Sequence, residues 1–232
     1  MRSSKAPRAA AVVVAAGRGE RFGLAGKALV PLAGKPMLAW TLDALEAAAT
    51  VREVVVVAGA HTRTEITALL EVGGWAKRAV VVDGGPRRQD SVAAGLHVTS
   101  ADVDVVLVHD AARPLATAAQ FDACATQAAE TGAAILAAPV CDTLKRVACG
   151  VIAGTVSREG LWAAQTPQGF LRTALVEALD SVGDETVTDE AALFESLGRP
   201  VAIVPSDGAN LKVTFPGDIA LAEALLLRRV SG

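Results

Sequence analysis

Ala11-Val12-Val13-Val14-Ala15-Ala16-Gly17-Arg18-Gly19-Glu20-Arg21-Phe22-Gly23 decides the fold class. Ala11 to Ala15 are apolar on both alternating faces, which is the pattern of a strand buried on both sides of a parallel sheet. The run then breaks into a glycine-rich, basic loop, and the carboxyl end of a strand is where an open α/β sheet places its ligand loops. Gly17 and Gly19 let backbone N–H groups approach phosphates, while Arg18, Arg21 and Lys27 bring positive charge to the same loop. A solvated connection rich in Gly and Arg would read the same way in isolation.

Outward from this stretch, apolar runs recur at Glu53 to Val57, Ala79 to Val82, Asp104 to Val108 and Ala133 to Ala138, with helix-length segments between them. After Pro36, the positions Met37, Leu38, Thr41, Leu42, Leu45 and Ala48 trace one helical face. Asp90 and Ser91 are candidate caps for a helix running toward Val98. This alternation predicts a Rossmann-like α/β domain with a mostly parallel sheet flanked by helices. The rhythm changes after Pro139. Cys141 to Arg146 and Val151 to Val156 read as two strands joined by a Cys-Gly bend, a projecting β-arm at about residues 141–157. Helical patterning returns around Leu171 to Leu179 and Glu190 to Leu197, followed by a strand near Val201 to Val204 and a last helix from about Pro216 to Arg229. There are no repeats and no obvious linkers, so one domain over residues 1–232 with an inserted arm is the simplest organisation.

Composition narrows the partners. Hydrophobic residues make up 52% of the 232 and charged residues 20%, a globular profile that excludes general disorder. The net charge of -3 argues against a general nucleic-acid or anionic-membrane binder, so an anionic ligand must be met by a few local Arg and Lys side chains. No apolar stretch approaches the roughly 20 residues that span a bilayer. Cys124, Cys141 and Cys149 lack CxxC spacing and are odd in number, so they predict neither a zinc site nor a disulfide framework, and a reducing cytoplasm fits them.

The loop described above is followed in order by Asp83-Gly84-Gly85-Pro86-Arg87-Arg88-Gln89-Asp90-Ser91-Val92, His109-Asp110-Ala111-Ala112-Arg113-Pro114, Ala137-Ala138-Pro139-Val140 and Asp142-Thr143-Leu144-Lys145-Arg146. Then come Arg158-Glu159-Gly160-Leu161-Trp162, Gln165-Thr166-Pro167-Gln168, Thr188-Asp189-Glu190 and Asn210-Leu211-Lys212-Val213-Thr214. Their joint order and spacing, from about Ala11 to Glu223, resemble the 2-C-methyl-D-erythritol 4-phosphate cytidylyltransferase family. The resemblance implies a nucleotidyltransferase of the non-mevalonate isoprenoid route that uses CTP and a divalent cation such as Mg²⁺ and forms a homodimer through its β-arm. It implies that Arg21 and Lys27 contact the triphosphate and stabilise the transition state, and that Arg158 and Lys212 position the acceptor phosphate. Ala15, Ala16, Gly85 and Ser91 match nucleotide contacts. Asp110, Arg113, Thr143 and Thr166 match positions lining the acceptor site, with Thr143 and Arg158 expected to reach it from the partner's arm or its base. The chain departs from many members in having Gly26 before the loop lysine, a shorter segment from Arg21 to Lys27, and Pro86 where some carry an acid.

The residue types fit that chemistry. A phosphate monoester has a second pKa of about 6, so its attacking oxygen is already anionic at neutral pH and no general base is needed. The obstacle is bringing one anion onto the α-phosphorus of another, which calls for cations. Asp110, at the carboxyl edge of its strand, is a candidate for binding acceptor hydroxyls or for ligating the metal, and otherwise would serve as a helix cap or a partner for Arg113. His109 reads as a structural histidine, and Thr188 as the cap of a helix beginning with two acids. Three other functions remain open on sequence alone. A ribitol 5-phosphate cytidylyltransferase would share the loop and the His109–Arg113 segment. A nicotinamide-dependent oxidoreductase would need an acid after its second strand, where Val57 is instead followed by Ala58-Gly59-Ala60. A non-catalytic module would bind nucleotide without releasing pyrophosphate.

Overall fold

The computed structural model describes residues 6–17, 22, 26–181, 183 and 186–230. Apolar runs with no polar alternation are stable only when both faces are covered, and the first strand, β1 (Ala9–Ala15), is buried along most of its length. The chain continues through a 3-10 turn at Lys27–Leu29, a small hairpin of β2 (Pro31–Leu32) and β3 (Lys35–Pro36), and α1 (Met37–Ala47). Then follow β4 (Val51–Ala58), α2 (Arg63–Val72), β5 (Arg78–Asp83), α3 (Arg88–His97), β6 (Val105–Asp110), α4 (Ala118–Thr131) and β7 (Ala133–Pro139). The arm consists of β8 (Leu144–Ala148) and β9 (Val151–Val156). The remainder comprises β10 (Trp162–Leu171), α5 (Arg172–Ser181), α6 (Glu190–Ser196), β11 (Ala202–Pro205) and α7 (Asp218–Val230).

Seven strands form one sheet in the order β11-β7-β10-β6-β1-β4-β5. All neighbours run parallel except at β10, which is antiparallel to both β6 and β7. The sequence reading of a mostly parallel sheet therefore holds, but β10 was not foreseen as a strand. Its Gln165, Thr166, Pro167 and Gln168 carry the composition of a loop. They are tolerated because the pairing with β7 slips between Ala164 and Gln168, leaving Pro167 where no ladder hydrogen bond is required of it. β6 also runs on through His109 and Asp110 rather than stopping at Val108.

Leu38 and Leu42 of α1 and Phe121 and Cys124 of α4 cover one face of the sheet. Val92 and Leu96 of α3, Leu175 of α5 and Phe194 of α6 cover the other. A third cluster docks Ala222 and Leu226 of α7 against Phe22, Leu32, Met37, Leu115 and Val213. No described helix is long and apolar enough to cross a membrane.

The site is placed by the sheet's order. From β1 the chain moves to β4 and β5 on one side and returns to β6 on the other, so a crevice opens at the carboxyl ends of β1 and β6. Two glycine-bearing turns meet there. A Cβ on Gly84 would stand 2.4 Å from the Ala16 Cβ and 2.9 Å from the Ser91 Oγ, and the Ser91 hydroxyl accepts the Gly85 N–H at 3.1 Å. Gly84→Ala is therefore expected to cost about 1–3 kcal/mol by overpacking, lowering Tm by about 2–4 °C per kcal/mol. Gly154→Ala in the arm, where nothing lies within 4 Å of the added methyl group, should stay within about 0.5 kcal/mol. Thermal unfolding of the two variants checks the difference.

Candidate active site

Asp110 ends β6 and is only 9% exposed. A carboxylate buried to that degree stays charged only with close cations. Lys212 Nζ donates to its Oδ2 at 2.6 Å, and Arg88 Nη2 approaches its Oδ1 at 3.3 Å. Burial by itself would raise the Asp110 pKa, but Lys212 and Arg88 outweigh it and hold the carboxyl far below the usual carboxylate range. Arg88 is in turn gripped by Glu190, whose two carboxylate oxygens each accept from Nη1 at 2.6 Å. Burial opposes the charge on Arg88, and Glu190 and Asp110 more than restore it, so its pKa lies above the usual value. Burial pushes the Glu190 carboxyl up, against the pull of Arg88. The result is an alternating line of charges, Glu190, Arg88, Asp110, Lys212.

Behind Asp110 a chain of hydrogen bonds fixes the neutral groups. The Asp110 N–H donates to Thr166 Oγ1 at 3.0 Å, and Thr166 Oγ1 lies 3.1 Å from His109 Nδ1. His109 Nε2 is 3.2 Å from the Arg113 carbonyl, which can only accept, so Nε2 carries the proton and Nδ1 accepts from the threonine hydroxyl. His109 is fully buried against Phe121, and burial lowers its pKa to about 4. It is a structural histidine, as its sequence setting indicated, and it orients Thr166. The Lys212 loop is fixed from both sides. Asn210 Nδ2 donates to Gln165 Oε1 at 3.0 Å and to the Thr166 carbonyl at 2.9 Å, and the Val213 N–H donates to the Ala112 carbonyl at 2.8 Å. Arg113 Nη1 reaches the Asn210 carbonyl at 2.8 Å.

Two cavities share the Arg88–Asp110–Lys212 wall. The larger, about 880 Å³, is bordered by Ala15, Ala16, Gly17, Lys27, Gly85 and Ser91 as well as that wall. The smaller, about 200 Å³, is bordered by Arg113, Thr166, Thr188 and Asp189. Lys27 opens the 3-10 turn directly after Gly26, whose φ of 82° suits glycine, and its Nζ donates to the Val213 carbonyl at 2.8 Å. The described chain after the first loop thus enters a 3-10 turn and a hairpin, not the long helix on which a dinucleotide pyrophosphate would rest.

Of the sequence candidates, Ala15, Ala16, Gly17, Lys27, Gly85, Ser91, Asp110 and Lys212 border the larger cavity, and Asp110, Arg113, Thr166 and Lys212 the smaller. Gly19 and Arg21 lie outside the described residues. Thr143 and Arg158 border neither cavity of their own chain. Both are exposed beside the arm, and Arg158 Nη1 donates to the Cys141 carbonyl. The expected caps require correction. Asp189, not Thr188, caps α6, accepting from the Ala192 N–H at 2.9 Å while its other oxygen takes the Gln168 amide at 2.8 Å. α3 begins at Arg88, with Arg87 at the N-cap and Asp90 one turn inside, accepting from the Arg87 N–H at 3.0 Å. Ser91 holds the glycine turn instead. Arg88 carries no role in the sequence reading, and Glu190 only that of an acid at the start of a helix. Adjacent arginines at the start of a helix, where its dipole disfavours cations, were the available sign that an anion must lie opposite. Cys124 is no competing nucleophile, because burial pushes its thiol up to about 12.

The donor set bears on a metal. Mg²⁺ keeps several waters and takes one or two carboxylates together with substrate phosphates. Asp110 is the one carboxylate among the described residues bordering the larger cavity, and no group of three or more His, Cys, Asp or Glu residues suited to a metal occurs among the described residues. The site therefore fits a cation carried on nucleotide phosphates better than one held in an all-protein cage.

Comparison with known proteins identifies a family. Residues 9–228 match the sequence model of the family described as 2-C-methyl-D-erythritol 4-phosphate cytidylyltransferase. A protein of that name from Prochlorococcus marinus strain MIT 9313 is 45% identical over 95% of this chain and 99% of its own length. One from Synechococcus elongatus is 42% identical over 94% and 96%. Among solved structures, the Thermus thermophilus 2-C-methyl-D-erythritol 4-phosphate cytidylyltransferase is 34% identical and superposes with a TM-score of 0.77 over 93% of this chain and 97% of that one. The 4-diphosphocytidyl-2C-methyl-D-erythritol synthase of Anaerococcus prevotii reaches 0.84 at 25% identity, covering 96% and 97%.

Acid should expose the buried histidine. Because His109 has a pKa of about 4 when folded and about 6.5 when unfolded, the unfolded chain binds the extra proton between those values. Stability is expected to fall as pH drops from 6.5 to 4, by about 3 kcal/mol in total from this group. The contribution of Asp110 is lost only at lower pH, below the unfolded carboxylate value. Urea unfolding between pH 4 and 7.5 should register this loss, and His109→Gln should flatten the dependence by about one proton.

Proposed function

The chain belongs to the 2-C-methyl-D-erythritol 4-phosphate cytidylyltransferase family, and on that premise we propose that it joins CTP to 2-C-methyl-D-erythritol 4-phosphate, giving 4-diphosphocytidyl-2-C-methyl-D-erythritol and pyrophosphate. The observation that carries this reading is the shared wall. A large cavity opening on two glycine turns meets a small recess carrying Arg113, and Asp110 and Lys212 stand where the two join. That is the geometry needed to bring two phosphorylated substrates together at one point.

The acceptor's phosphate oxygen attacks the α-phosphorus, an O–P bond forms, and the bond from the α-phosphorus to the bridging oxygen of pyrophosphate breaks in line. No proton has to be removed from the nucleophile, in keeping with a neutral, buried His109 that faces Thr166 instead of either cavity. Lys27, together with Arg21 from its place in the family motif, stabilises the charge that develops on the α-phosphoryl group and the leaving pyrophosphate. Lys212 directs the acceptor phosphate, and its bond to Asp110 sets the position of its ammonium before substrate arrives. Thr166 and Asp110 face the acceptor hydroxyls, while the backbone of Ala15 to Gly17 and of Gly85 takes the nucleotide. A divalent cation such as Mg²⁺ would be held on the triphosphate, with Asp110 as the candidate protein ligand, and would neutralise phosphate charge there.

Homodimerisation through the arm completes this assignment. β8 and β9 expose Val147, Val151 and Ile152, and Leu161 and Trp162 at the arm's base are also exposed, an apolar surface suited to a second copy. Thr143 and Arg158 would then act in the partner's recess. The free thiols, of which Cys141 and Cys149 are exposed, suit a reducing compartment, and we place the reaction in the cytoplasm.

Pyrophosphate release with CTP, Mg²⁺ and methylerythritol 4-phosphate is expected to exceed that with ribitol 5-phosphate, and to be abolished by chelation of the metal. Lys27→Ala should reduce kcat by about 100-fold or more. A preference for ribitol 5-phosphate would overturn the acceptor assignment. In light scattering, Ile152→Asp is expected to shift the protein from dimer to monomer and to raise the KM for the acceptor. A fully active monomer would remove Thr143 and Arg158 from the site.

A further inference from the structure

Arg88 is placed where a cation is poorly tolerated. It is the first residue of α3, facing that helix's positive end, and it lies on the wall between the cavities with Asp110 beside it. A guanidinium next to a carboxylate closes by preference into a two-pronged pair. Here it does not: one Nη atom reaches Asp110 at 3.3 Å, while the other is taken by both oxygens of Glu190 at 2.6 Å. Asp110 keeps its short bond, 2.6 Å, for Lys212. Glu190 is 1% exposed and reaches neither cavity, whereas the two residues before it, Thr188 and Asp189, border only the smaller recess. Its backbone is fixed as well, since Asp189 caps α6 and Gln168 of β10 accepts the Ala191 N–H at 3.3 Å.

We propose that Glu190 is a positioning residue for the acceptor: by holding Arg88 from behind, it keeps the guanidinium from closing onto Asp110, and so leaves Asp110 paired with Lys212 and facing the recess. Glu190 acts only through Arg88 and touches no substrate. Without its charge, Arg88 satisfies itself on the nearest anion, which is Asp110. That carboxylate then turns from the recess, and Lys212 loses the partner that sets its position. The larger cavity retains its glycine turns and Lys27, so nucleotide binding is affected less.

This inference rests on the proposed reaction, and the test separates the two. Steady-state kinetics on the full-length protein, varying CTP and methylerythritol 4-phosphate in turn, are compared for the parent, Glu190→Gln and Glu190→Asp. Glu190→Gln is expected to raise the acceptor KM by about tenfold while the CTP KM stays within about twofold. Glu190→Asp keeps the charge on a side chain one methylene shorter and should raise the acceptor KM by about threefold. If Glu190→Gln does not fold, Glu190→Asp decides the question alone. An acceptor KM unchanged in every folded variant overturns the proposal, and so does an equal rise in both KM values, which is what a merely structural role would give. A parent that releases no pyrophosphate overturns the reaction itself and this inference with it.

Discussion

Keeping the Asp110 carboxylate ionised at the buried end of a central strand is the constraint on which the rest of the site depends. Desolvation of such a charge costs several kcal/mol unless cations stand beside it, and each cation here is delivered by a different part of the chain. Lys212 arrives on a loop fastened to β10 through Asn210 and to the turn after β6 through the Val213 amide. Arg88 arrives at the head of α3 and needs Glu190 from the head of α6. Segments about a hundred residues apart in sequence are thereby tied to one carboxylate. The same ties leave cationic groups facing two cavities, which is the requirement for joining anionic partners.

The sheet provides the rest by its order. Because the chain leaves β1 in one direction and comes back on the other side, the loops after β1, β5 and β6 converge without any long excursion. Close packing of the first two of these, with Ala16 against Gly84, makes the glycine at that point a steric necessity. The Ser91 hydroxyl then ties Gly85 to α3, so the backbone bordering the larger cavity is anchored to the helix that also presents Arg88.

Much of this was legible in the sequence where one periodicity governed a segment. β1, β4, β6 and β7 were visible because they are buried along nearly their whole length and consist largely of Val, Ala, Ile and Leu, and β5, a partly buried edge strand, because it holds the unbroken apolar run Ala79 to Val82. β10 was not, because its central residues are polar for reasons of tertiary structure. Gln165 binds Asn210, Thr166 bridges Asp110 and His109, and Gln168 holds the start of α6, and no local rule anticipates partners so distant. Asp110, Arg113, Thr166 and Lys212 were legible through motif order. Arg88 and Glu190 fell within the same motifs, but their pairing bridges 102 residues and shows only in three dimensions. Thr188 preceded two acids and had the composition of a cap, yet Asp189 reached the Ala192 amide first.

The antiparallel direction of β10 has a mechanical meaning. The strand starts at the base of the arm, at Trp162, and within four residues carries Thr166 to the Asp110 amide. At about 3.4 Å per residue, that is a covalent strut of about 14 Å between the surface that would receive a second subunit and the pocket floor. Its length cannot vary freely, because losing one residue would rotate the next side chain to the opposite face of the sheet. The arm and the recess are therefore two ends of one short stretch of backbone, with no loop between them to take up a change in either.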